Sequence, residues 1–76
     1  MFIVKCVPGE ESLIYGEMAL LEPEVPIITR ELLERNIIVA AIHNHWLCDR
    51  PRVMHLHFEV RMNPIDFANR VVCVLP

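Results

Sequence analysis

Two stretches in the middle of the chain, Ile37 to His45 and Val53 to Val60, alternate side chains in steps of two, and all four histidines lie inside them as His43, His45, His55 and His57. A period of two is the pattern of a strand with one buried face. A helix would scatter the same residues around its circumference. Within each stretch the two histidines share parity and so project from one face. On the first strand Ile38, Ala40 and Ile42 are expected on one side, with Val39, Ala41, His43 and His45 on the other. On the second, Met54, Leu56, Phe58 and Val60 oppose Val53, His55, His57 and Glu59. An antiparallel hairpin with His43 opposite His57 and His45 opposite His55 brings opposed Cβ atoms to about 5 Å, close enough for the imidazoles to reach a common ion. A slip of two residues preserves this arrangement, whereas a slip of one throws one histidine pair to the other face.

The flanking sequence supplies the other elements. Phe2 to Val7 and Ser12 to Leu21, joined by the turn residues Pro8, Gly9, Glu10 and Glu11, read as an opening hairpin. From Pro23 to Arg35 the apolar residues Val25, Ile28, Leu32 and Leu33 share one helical face, and Asn36 is a suitable left-handed stop. Asn63 followed by Pro64 reads as an N-cap and first helical residue, opening a helix through about Val74 with Phe67, Ala68, Val71, Val72 and Leu75 on its apolar face. The order ββαββα predicts an α+β fold with a ferredoxin-like split βαβ arrangement. The sheet is expected to be antiparallel with both helices on one face. Right-handed crossover sets strand 12–21 beside strand 53–60 and leaves strand 37–45 at the edge.

Length and composition limit the function classes. The chain has 76 residues, 54% hydrophobic and 22% charged, with only 2 Gly, as in one packed domain over 1–76. A core of this size gains from a partner subunit or a bound metal. The net charge of −3, with 7 scattered basic residues, argues against nucleic acid. Cys6, Cys48 and Cys73 have no CxxC spacing, which fits a reducing cytoplasm better than a disulfide framework. MFIVKCV is too short for a signal-peptide core, and no apolar run reaches bilayer-spanning length, so neither export nor a membrane is expected.

Neutral imidazole is a borderline ligand suited to Zn, Ni, Cu or Fe. His43, His45 and His57, assisted by His55 or Glu17, form the candidate ligand set for such a divalent transition metal. Glu59 and Cys48 are further candidates, with Glu17 ranked above the loop thiol. Whether the site is catalytic is left open; metal-activated water with Glu17 or Glu59 as base is the form catalysis would take. The competing readings are a homo-oligomeric interaction module with a structural or pH-responsive histidine network, and a small-anion pocket using Arg50 and Arg52 with neutral imidazoles. Asp49, Arg50 and Arg52 read more simply as a solvated turn, and Trp46 and Phe58 as packing around the histidines. Glu10, Glu11, Glu22 and Glu24 read as solvated charges. The consecutive His43, Asn44 and His45 do not reproduce the HNH nuclease, whose residues come from separate positions, and the Glu and Gly spacings of a cupin are missing.

The run from Gly16 to about Val60, and more loosely the closing helix, resembles the LppY/LpqO family of bacterial domains of unknown function. The most specific part is a strand ending Ala41, His43, Asn44 and His45, then Pro51 and Arg52, then a strand ending His57 and Phe58. The resemblance implies that His43, His45 and His57 are family positions and that His55 is particular to this chain. It matches Glu17 and Glu22 to acidic positions of the family. It also implies a shortened unit around the C-terminal motif, without the long preceding segment of typical members, so that a second subunit of a homodimer would supply any missing pocket wall.

Overall fold

The protein, seen in a computed structural model, is described over residues 2–9, 11–48, 50–72 and 74. Its elements are β1 (Phe2–Val7), β2 (Leu13–Leu21), a 3-10 turn (Glu22–Glu24), α1 (Val25–Glu34), β3 (Ile38–Asn44), β4 (Val53–Arg61) and α2 (Pro64–Val71). The strands form one antiparallel sheet in the order β1-β2-β4-β3. β4 therefore lies beside β2 and β3 is an edge strand, the neighbours the crossover rule predicts.

Local chemistry explains where the helices begin and end. The Glu24 carboxylate accepts the Leu21 N–H at 2.7 Å in the turn leading into α1. At the other end Asn36 has φ 60°, with its N–H donating to Leu33 O at 3.0 Å and that of Ile37 to Leu32 O at 2.9 Å. These two bonds form a Schellman motif, and its apolar pair, Leu32 and Ile37, is fully buried. Asn63 caps α2 by accepting the Ile65 N–H at 2.8 Å.

The helical faces are narrower than the sequence suggests. α1 buries Ile28 and Leu32, while Leu33 stays exposed. α2 ends at Val71 rather than about Val74 and buries only Phe67 and Val71; Ala68 and Val72 face solvent. Consecutive β-branched residues favour this early stop, and the Val74 N–H returns to Val71 O at 2.8 Å in a tighter turn. The expected contribution of Leu75 lies outside the described residues, as do Met1, Glu10, Asp49, Cys73 and Pro76.

Even-numbered positions of the two central strands build the core. Ile14, Met18 and Leu20 of β2 and Leu56, Phe58 and Val60 of β4 pack beneath the buried residues of both helices. Phe58 stacks on Phe2 and Phe67 with ring centroids 5.7 and 5.8 Å away. Gly16 lies beside this column, and a Cβ there would overlap the Ile3 carbonyl oxygen and crowd the Phe58 ring. The close approach of β1 requires glycine at that point.

The edge strand departs from simple alternation. Val39 pairs with Phe58 and Ala41 with His57, so Ala40 is an extra residue in a β-bulge. Ile38 consequently shares the open face with Glu59, while Val39 turns toward the core; the expectation that Ile38, Ala40 and Ile42 form one face is corrected. Unbroken alternation would place Ile37, Val39, His43 and His45 on the same side. The inserted residue lets Ile37 and Val39 meet the core while the histidines point away from it.

Candidate functional site

β4 supplies His55 and His57, β3 supplies His43, and β2 supplies Glu17, all on the face opposite the helices. The register differs by two residues from the expected one. His43 lies opposite His55, and Ala41 opposite His57; His45 follows the strand end, its N–H donating to Val53 O at 2.9 Å. Two-residue slippage preserves side-chain parity, so all four rings still meet. Ring centroids are 5.0 Å apart for His43 and His57, 5.4 Å for His43 and His55, and 5.3 Å for His45 and His55.

The centre of the patch is a two-by-two arrangement. Glu17 is paired with His57 and His43 with His55, while Ala19 sits opposite His55 and Ala41 opposite His57. The two alanines leave space into which the larger side chains lean diagonally. Their role follows from register alone, which is why the sequence reading missed them; the available signal is a small residue on each strand flanking β4.

Distances define a chain of donor atoms. His43 Nε2 is 2.9 Å from His57 Nε2, His57 Nε2 is 3.7 Å from Glu17 Oε2, and Glu17 Oε2 is 3.4 Å from His55 Nδ1. His43 Nδ1 lies 3.2 Å from the Asn44 carbonyl oxygen. A carbonyl oxygen only accepts, so Nδ1 carries the proton, and in neutral His43 the Nε2 lone pair faces His57. His57 Nε2–H is then the donor between the rings.

His55 lies deepest. Its side chain is 13% exposed, and both ring nitrogens are buried without a hydrogen-bond partner. The approach to Glu17 is an ion-pair distance that lacks hydrogen-bond geometry, so it leaves Nδ1 poorly satisfied. Such unmet polar atoms are costly and point to a missing ligand or a functional role. Among the described residues, however, no group of three or more His, Cys, Asp or Glu side chains is placed so as to hold a metal ion.

The other candidates lie elsewhere. Glu59 is exposed between Tyr15 and Ile38, and Cys48 is an exposed free thiol. Glu22 pairs with Arg52 at 3.3 Å on the surface, which engages one of the two cations expected to hold an anion. Asp49 of that loop is outside the described residues. Trp46 is largely exposed, and Phe58 is buried on the opposite face, so Phe58 does not line the histidine patch. No helix among the described residues is long and apolar enough to cross a membrane.

Neither a curated protein nor a solved structure matches the chain. A family profile described as Domain of Unknown Function (DUF1259) does match, over residues 2–75, and the chain, with its four neighbouring histidines, belongs to that family.

Proposed function

We propose that the open-face histidines bind a divalent transition metal, with His43 and His57 as imidazole ligands, Glu17 as the carboxylate ligand, and His55 and His45 completing or supporting the shell. The observation that carries this reading is the 2.9 Å approach of His43 Nε2 to His57 Nε2. The His43 lone pair already points into the gap, and its Nδ1–H is held by a backbone carbonyl, the usual way a ligating imidazole is oriented. An ion would take the place of the proton shared by the two rings. The unsatisfied nitrogens of His55 and the adjacent Glu17 carboxylate supply further donors of the right chemistry.

The imidazole nitrogens and the Glu17 carboxylate would suit Zn, Ni, Cu or Fe. A coordination position left open would hold water, and the ion would supply Lewis-acid polarisation there. On the wider identity, we read the interleaving of β4 between β2 and β3 as a ferredoxin-like split βαβ, and the family as the LppY/LpqO group. Exposed free Cys6 and Cys48 fit a cytoplasmic setting.

Elemental analysis and calorimetric titration with Ni2+, Cu2+ and Zn2+ test the proposal. Stoichiometric binding is expected, with affinity reduced at least about 100-fold in His43→Ala. Affinity falls as pH is lowered, because a protonated imidazole has no lone pair to donate. Absence of binding by the wild-type chain, or unchanged affinity in His43→Ala, overturns it.

A further inference from the structure

We infer that the open face of the sheet docks a second copy of this chain, with the histidines inside the interface. This goes beyond metal binding and survives its failure. Both helices lie on the other face, and Ile3, Tyr15, Leu21 and Ile38 remain 39, 40, 45 and 56% exposed. These residues come from β1, β2 and β3 and surround the histidines, so they form one patch rather than isolated surface residues.

Charge balance on the face is compatible with a second copy as the partner. Among the described residues the face carries Lys5 and Arg61 against Glu17 and Glu59, whereas the whole chain has a net charge of −3. A face that balances its own charges meets its copy without the repulsion that the net charge would bring. Size sets the extent of contact. Four strands of about seven residues, at about 4.8 Å between strands and 3.4 Å per residue, cover roughly 450 Å2 in plan. A standard interface uses about 800 Å2 of accessible surface per partner. A corrugated face exceeds its plan area, yet a stable pair still needs nearly all of it, including the histidine patch.

Sedimentation of the whole chain across a concentration series in EDTA separates this inference from metal binding. The wild-type chain is expected to form a reversible dimer. Tyr15→Glu and Leu21→Glu should each weaken it at least about 10-fold, while Ile42→Lys, at the sheet edge on the helix side, leaves it unchanged. A second measurement needs no variant: the Tyr15 ring and the Ile3 and Ile38 methyl groups should lose NMR access to a soluble paramagnetic probe as the dimer forms. A chain that stays monomeric overturns the inference. So does a dimer that leaves those groups exposed, or one disrupted only by Ile42→Lys, which would indicate pairing through the β3 edge.

Discussion

The helix-covered face of the sheet and its open face come from alternate residues of the same strands, yet they follow opposite rules. On the covered face, Leu56, Phe58 and Val60 are apolar, closely packed and fully served by neighbours. On the open face, His55, His57 and Glu59 occupy the intervening positions, and partly buried His55 has both ring nitrogens shielded without hydrogen-bond partners. The covered face provides stability through apolar burial. The open face retains polar groups whose desolvation is incompletely compensated.

The sharpest challenge to this division is Phe58→Ala. Phe58 is 2% exposed and stacks on two other rings, so its loss should cost about 4 kcal/mol in denaturant unfolding. A loss below about 1 kcal/mol would mean that the covered face is not the source of stability. Gly16→Ala comes next. The added methyl must displace the Ile3 carbonyl, and a destabilisation of about 3 kcal/mol is expected together with increased amide exchange in β1.

His55→Leu reverses the sign and sharpens the contrast. Replacing a partly buried imidazole that has unmet nitrogens with an apolar side chain of similar size should stabilise the metal-free protein by about 1–2 kcal/mol. A destabilised His55→Leu variant in EDTA would show that the imidazole is satisfied after all. The smallest effect belongs to a helix end remote from the patch. Asn63→Ala removes the cap on the Ile65 N–H and should cost about 1 kcal/mol without altering metal affinity. A change in metal affinity in that variant would show that the two faces are coupled through α2.

Much of this organisation is legible in particular residues. Asn36, Asn63 and Pro64 mark helix boundaries because their backbone and capping preferences act over a few positions. His55 and His57 can be placed opposite Leu56 and Phe58 because β4 keeps strict alternation. β3 is less legible, since Ala40 carries no local signal for a bulge and Ile38, Val39, Ala40 and Ala41 are all apolar. The extents of the apolar faces of α1 and α2 were also overread. Leu33 and Val72 have the right spacing, but burial depends on how far each helix overlaps the sheet.

The sequence by itself determined the strands, the helix caps and the shared parity of the histidines, because these follow from local backbone preferences and a repeat of two. Only the tertiary structure decided the register of β3 on β4, the bulge at Ala40, and the placing of Glu17 beside His57 with alanines at the opposite corners. Those features depend on how Ile37 and Val39 reach the core and how β2 meets β4. Such long-range fits are settled by packing among distant segments rather than by any neighbouring run of residues.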